Sequence, residues 1–270
     1  MECATCDFAW QWPIVRSISE SSEYFGDQYA TAVVDSYFDK EKKSAICALE
    51  LEFVESLITA LGKIIFDFGS GDGTFCRLAA KAGWKAWGVD PAGPVETFQD
   101  PSGGSVCLAN EFDNIDGQLK FDAITMWDVV EHLEKPLELI EKVKILLNRG
   151  GWLVIETGNF QSTARIQSGP NWWGYQLDHR WYFTPQTITK LLAQAGFGEV
   201  RVCNRTLRPW VSATGEYRGP QKLQYLKAVV KNPLKGHKFF SDYLALREIS
   251  KKYPDTANLQ IFTMAARPTG

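Results

Sequence analysis

The feature that most constrains this 270-residue chain is a glycine-rich turn, Asp67-Phe-Gly69-Ser-Gly71-Asp-Gly73. It lies between a short apolar run, Lys63-Ile-Ile-Phe-Asp67, and a segment from Thr74 to about Lys81 that reads as a helix closed by Gly83. Strand, glycine turn and helix in that order form a nucleotide-cofactor turn: glycines let the backbone approach a ligand, and the helix N-terminus favours its negative end. The spacing is Gly-x-Gly-x-Gly preceded by an acid, whereas the dinucleotide fingerprint is Gly-x-Gly-x-x-Gly with no need of that acid. Asp67 suits a cofactor carrying a cationic amine, as S-adenosylmethionine does, better than a pyrophosphate.

Alternation continues on both sides of the turn. Ile46, Leu49, Phe53, Val54, Leu57, Ile58 and Leu61 recur at helical spacing and predict an amphipathic helix ended by Gly62. Downstream, strands are predicted at Lys85 to Asp90, Val106 to Leu108, Phe121 to Trp127, Trp152 to Glu156, Glu199 to Cys203 and Leu259 to Met264. Between them stand a Pro/Gly-broken loop over 91–104 and a helix from about Pro136 to Leu147. After an irregular, Trp-rich stretch over 158–183 comes a helix capped by Thr184, with Pro185 at its first position, running to Gly196. Strands alternating with helices predict an α/β domain around a mostly parallel sheet. Asp90 falls at the C-terminal end of the second strand, where a carboxylate can take both ribose hydroxyls of a nucleoside; that placement suits NAD as well.

Composition excludes several classes. No apolar stretch approaches the roughly 20 residues of a membrane span. The start has neither a basic nor a continuous apolar region, which argues against a secretory signal and makes the cytoplasm the expected compartment. Six scattered cysteines imply no disulfide framework; Cys3-x-x-Cys6 lacks the second Cys/His pair of a structural zinc, so the N-terminus reads as a loose end with two reduced thiols and no metal is expected. Net charge is −3, yet Arg205 to Lys252 holds eleven Lys/Arg against three acids. One basic face on an otherwise acidic chain argues against a nucleic-acid coat.

The block Phe121-Asp-Ala-Ile-Thr-Met-Trp-Asp-Val-Val-Glu-His-Leu-Glu-Lys-Pro136, with its helix and Gly150-Gly-Trp-Leu-Val-Ile-Glu156, resembles the class I S-adenosylmethionine-dependent methyltransferases that act on small molecules, sugars and natural products. The resemblance covers about residues 62–200 and rests on the run of motifs together. It implies a Rossmann-like, seven-stranded, mostly parallel sheet with helices on both faces, its last strand antiparallel. It further implies S-adenosylmethionine as cofactor, with Asp67, Gly69, Ser70 and Gly71 at the methionine end, Asp90 and Pro91 at the ribose, and Trp127 and Asp128 closing the site. Asn110 stands where the family usually has an acid near the adenine, and Glu111 or Phe112 would share that role. Tyr24, Tyr29 and Tyr37 lie where related enzymes fold an N-terminal segment over the cofactor. Cys3 to Pro13 resembles the second half of a zinc-ribbon segment found before the core in some members; without a first half, metal binding does not carry over.

Two histidines are candidates for acid–base work near neutral pH. His179 stands beside Asp178 just before the Thr184-capped helix, where some sugar methyltransferases carry a Glu-His pair; it is the candidate general base, with Asp178 orienting it, or else a residue that fixes its loop. His132 matches the family pattern as a bridge between loop and helix, or takes part in catalysis. Trp172, Trp173, Tyr175, Trp181 and Tyr182 either wall a substrate pocket or pack a long loop.

The division expected is an N-terminal lid and first helix (1–61), the cofactor-binding core (62–204), a basic helical insertion (205–257) and the last core strand (258–270). Arg205, Arg208 and Arg218 would favour an anionic acceptor such as a phosphorylated or nucleotide-linked sugar. The expected activity is O-methylation of a sugar or other small molecule. The alternatives are N- or C-methylation, or a non-catalytic cofactor-binding or RNA-binding module on the same fold.

Overall fold

The structure is a computed structural model and describes residues 1–13, 40–58, 62–112, 117–176, 178–203, 205–208 and 259–269. Tyr24, Tyr29, Tyr37, Arg218 and nearly all of the basic insertion lie outside the described residues. Among the described residues no helix is long and apolar enough to cross a membrane.

The apolar run before the glycine turn forms β2 (Ile64–Phe68), which pairs in parallel with β3 (Lys85–Val89) on one side and β6 (Phe121–Trp127) on the other. Outward from β3 come β5 (Ser105–Ala109) and β4 (Glu96–Gln99); outward from β6 come β7 (Leu147–Gly158), β10 (Ile261–Pro268) and β9 (Phe197–Val202). The order is β4-β5-β3-β2-β6-β7-β10-β9, with β10 antiparallel between β7 and β9. The sheet therefore has the expected mostly parallel character and antiparallel last strand. It has eight strands and not seven, because Glu96–Gln99, expected as loop, doubles back antiparallel onto β5 through a turn at Asp100 to Gly104. Asp100 fixes that turn by accepting from the Ser102 N–H and hydroxyl.

Side chains alternate across the sheet and divide the core into two layers. Ile65, Ala123, Val154 and Ala265 pack with Trp84 and Trp152 beneath α1 (Lys40–Leu57) and α2 (Thr74–Lys81). Phe66, Ile124, Leu153 and Phe262 face the other way, toward α3 (Pro136–Ile145) and α5 (Pro185–Gln194). Emptying one of the fully buried tryptophans would cost about 3–5 kcal/mol. The first helix starts before the expected apolar period, since Lys40-Glu-Lys-Lys43 carries none of it, and it ends at Leu57. α5 begins as expected: the Thr184 hydroxyl accepts from the Thr187 N–H, and Thr187 Oγ1 accepts from the Thr184 N–H.

The N-terminus is not loose. Ala9–Trp10 (β1) pairs antiparallel with Trp181–Tyr182 (β8), and Phe8 meets the rings of Trp181 and Phe183 edge-on at 5.8 and 5.5 Å. The described part of the Trp-rich stretch, residues 158–176 and 178–183, is likewise ordered, with α4 (Thr163–Ser168) capped by the Ser162 hydroxyl.

Candidate active site

The glycine turn crosses from the end of β2 to the end of β3, where the Gly69 and Ser70 N–H groups donate to the Val89 carbonyl at 2.8 and 3.0 Å. Gly69 and Gly71 have φ of 78° and 53°, a region that side chains disfavour. They differ in surroundings. A Cβ on Gly69 would lie 2.4 Å from Val129 Cγ2, whereas one on Gly71 would meet nothing within 4 Å, so the turn presents bare backbone to open space at Gly71. The Asp90 carboxylate accepts from the Gly71 and Ala92 N–H groups, both at 2.9 Å, which pins it beside that opening. Asp67 is buried; Thr125 donates to its Oδ1 at 2.7 Å, yet burial pushes its carboxyl up to about 7. A buried carboxyl in that condition favours a cationic neighbour.

The remaining expected contacts of the cofactor fall around the same end of the sheet. Trp127, half-buried, packs on Phe75 at 5.5 Å and leaves its indole N–H without a hydrogen-bond partner. Ser70 is buried, whereas Pro91, Asn110 and Glu111 are exposed. Phe112 packs on Phe68 and Phe66 at 5.6 and 6.0 Å, which supplies an apolar wall where the sequence lacks the family's acid. Open backbone, a fixed carboxylate, a buried carboxyl and an aromatic wall fit an adenosyl ligand with an amino-acid tail.

Beyond β6 the chain turns sharply at Asp128, whose φ is 52°, and brings Glu131 and His132 against the 174–181 segment. The Glu131 carbonyl accepts from the Arg180 and Trp181 N–H groups at 2.9 and 3.2 Å, locking the two segments together. His179 Nδ1 lies 2.9 Å from the Gly174 carbonyl, and His132 Nδ1 lies 3.1 Å from the Asp178 carbonyl. The two imidazoles meet edge-to-face at 4.7 Å. The pairing expected between Asp178 and His179 is corrected: the Asp178 carboxylate sits 3.4 Å from His132 Nδ1, and a backbone carbonyl holds His179. Burial lowers the His179 pKa, so the ring is neutral at pH 7. Glu131, which the sequence reading missed although it adjoins His132, is pushed up to about 7 by burial and then by Asp128, and its Oε2 has no hydrogen-bond partner.

A buried ion-pair network backs this wall. Arg208 Nε lies 2.7 Å from Glu156 Oε1, and its Nη2 lies 2.6 Å from Asp128 Oδ2; Thr263 donates to Glu156 Oε2 at 2.7 Å. Burial opposes the guanidinium charge, but Asp128, Glu156 and Glu50 outweigh it and raise the Arg208 pKa. Arg205 pairs with Glu52 on α1 at 2.8 Å. These two arginines were expected to meet an anionic acceptor; their charges are instead matched by the protein's own carboxylates. Of the loop aromatics, Trp172 is 4% exposed and packs with Phe160, Tyr175 and Tyr182 as a small core of its own, so for that residue packing is the role observed.

Comparisons with known proteins show the family and the fold. A family model described as "Methyltransferase domain" matches residues 38–201. The match covers more than half of the chain, which therefore belongs to that family, the class I S-adenosylmethionine-dependent methyltransferases. The ubiquinone biosynthesis O-methyltransferase of Actinobacillus pleuropneumoniae serotype 7 is 30% identical over 123 residues, covering 41% of this chain and 53% of that protein. The protein of the same name from Dinoroseobacter shibae is 30% identical over 155 residues, covering 52% and 61%. The chain thus spans about half the length of the curated relatives it matches. A solved S-adenosylmethionine-dependent methyltransferase from Archaeoglobus fulgidus superposes with a TM-score of 0.52 at 18% identity, over 87% of this chain and 97% of that one; at such identity it shows the shared fold.

Proposed function

We propose that this protein transfers a methyl group from S-adenosylmethionine to an oxygen of a hydroxylated small molecule. The observation that carries the reading is the juxtaposition, at one end of the sheet, of the open Gly71 turn with its Asp90 carboxylate and the cluster of buried Glu131 and His179 with half-buried His132. The link between them is short: Val129, which packs over Gly69, lies between Asp128 and Glu131 in the turn that follows β6. The names of the O-methyltransferase relatives support oxygen as the acceptor atom.

When bound, S-adenosylmethionine supplies a methyl group on a cationic sulfonium. Asp67 would hold its amino group, Asp90 the ribose hydroxyls, and Phe112 and Trp127 the flat and apolar parts. For an acceptor hydroxyl, the oxygen would take the methyl carbon as its proton leaves, and the departing sulfur would keep the C–S electron pair. The chain's task is to align the two reactants in line and to accommodate the proton. The cluster centred on His179, neutral at pH 7, is the place where that proton is lost.

Transfer of labelled methyl to a panel of phenols, sugars and amines tests this reading. Label in an ether product is expected. Label on nitrogen or carbon, or no transfer by protein that binds S-adenosylhomocysteine, would replace it with the N-/C-methylation or binding-module alternative. With a working acceptor, His179→Ala should lower turnover about 10²–10⁴-fold.

A further inference from the structure

We propose that Glu131, His132 and His179 form a binding site for a divalent transition-metal ion of the zinc class on the acceptor side of the active site. Among the described residues this is the one group of three metal-ligating side chains whose ligand atoms lie together, all within 4.8 Å of one another. Proximity alone is common. Three further observations make this a built site.

First, both imidazoles are anchored by the same atom in the same way: Nδ1 of His179 lies 2.9 Å from the Gly174 carbonyl, and Nδ1 of His132 lies 3.1 Å from the Asp178 carbonyl. An Nδ1–H donated to a carbonyl fixes the tautomer and leaves Nε2 with its lone pair, which is how the outer partners of metal-bound histidines prepare the ring. Second, Glu131 is 3% exposed and its Oε2 has no hydrogen-bond partner. Leaving a buried carboxylate oxygen unpaired is costly, and a cation beside it removes the cost. Third, the Asp178 carboxylate is 1% exposed and sits 3.4 Å from His132 Nδ1, an acid placed behind a ligand and not in front of it.

The donor set selects the ion. Two imidazole nitrogens with one carboxylate oxygen suit zinc and its neighbours, whereas magnesium and calcium prefer oxygen throughout. A zinc ion holds such atoms at about 2.0–2.2 Å, so small side-chain rotations about the Nδ1 anchors would draw the three together. Three protein ligands leave a fourth position open, the arrangement of catalytic sites. The role assigned there rests on the methyltransferase reading: an acceptor hydroxyl beside the ion would lose its proton to solvent more readily, as bound water does. His179 would then act as a ligand and not as a base on its own.

The test is equilibrium dialysis of the chelator-stripped 270-residue chain against Zn²⁺. It is run in a Cys3→Ser/Cys6→Ser background so that this half-buried thiol pair cannot supply the binding. One zinc per chain is expected there. Glu131→Gln and His179→Ala should each bind it at least about tenfold more weakly, and Asp178→Asn about 10–100-fold more weakly. Calorimetry with S-adenosylhomocysteine, expected to be unchanged in all three, reports that each variant is folded and keeps the cofactor reading separate. No stoichiometric zinc in the double-serine protein overturns the site, as does parent-like zinc binding by folded Glu131→Gln and His179→Ala. Zinc binding without S-adenosylhomocysteine binding would leave the metal site standing and remove the methyltransferase reading instead.

Discussion

Arg208→Met should be among the more damaging single changes in the chain. The guanidinium is 10% exposed and bonds Glu156, 1% exposed, at 2.7 Å, and Asp128, 35% exposed, at 2.6 Å. Asp128 regains water when its partner is lost, so its share is discounted. Glu156 does not. Removing one partner of a buried pair costs about 3–5 kcal/mol, because the charge left behind is uncompensated. For a chain of this size that is a fall in Tm of roughly 6–20 °C. The pH dependence follows from Glu156. Its pKa is already raised by burial in spite of Arg208, and loss of the arginine raises it further. A raised folded-state pKa contributes stability that is fully present below the unfolded value of 4.5 and is lost as pH rises through the folded value. The deficit of Arg208→Met relative to the parent should therefore widen from pH 5 toward pH 8. Urea unfolding across that range measures it, and adding Glu156→Gln should recover most of the loss. A deficit below about 1 kcal/mol, or one independent of pH, would refute the reasoning, since this is the range of an exposed pair.

Two further outcomes concern the turn and the packing. Gly71→Ala should fold, at a cost of about 1–2 kcal/mol for its positive φ, but should weaken S-adenosylhomocysteine binding; Gly69→Ala should lose more stability, because its Cβ would lie 2.4 Å from Val129. Urea midpoints paired with calorimetry separate the two effects, and the reverse ranking in stability would be inconsistent with the geometry. Thr184→Ala should cost about 1 kcal/mol by removing one half of the reciprocal cap on α5, read as a drop in Tm.

What the sequence made legible was whatever carried period or punctuation. Ile64–Phe68, Phe121–Trp127 and the Pro136 and Pro185 helix starts announce themselves through apolar runs and proline at N1. Glu96–Gln99 did not, because three of its four residues are exposed and it is held by pairing with β5 and by the ion pair of Glu96 with Arg77, neither of which leaves a local pattern. Ala9–Trp10 is too short to show alternation and is a strand only because Trp181–Tyr182 lies beside it. The cofactor side was readable for the same reason as the strands: glycine spacing and a carboxylate at a strand end have local signatures. The acceptor side was half-readable. The histidines stood out by rarity, but which carboxylate faces which ring is decided by how the 174–181 segment folds over Glu131. Arg208 read as a cation for an anionic acceptor, because nothing local distinguishes an arginine buried against the protein's own carboxylates from one that meets a ligand.

The central claim is that the Gly69–Gly73 turn and Asp90 hold S-adenosylmethionine. Calorimetric titration with its demethylated product, S-adenosylhomocysteine, in parent and Asp90→Ala protein tests it most directly. The account predicts one site per chain in the parent, weakened in the variant by about 1.5–3 kcal/mol for each charge-assisted bond lost. Equal affinity in the two proteins, or binding of NAD in preference, would contradict it.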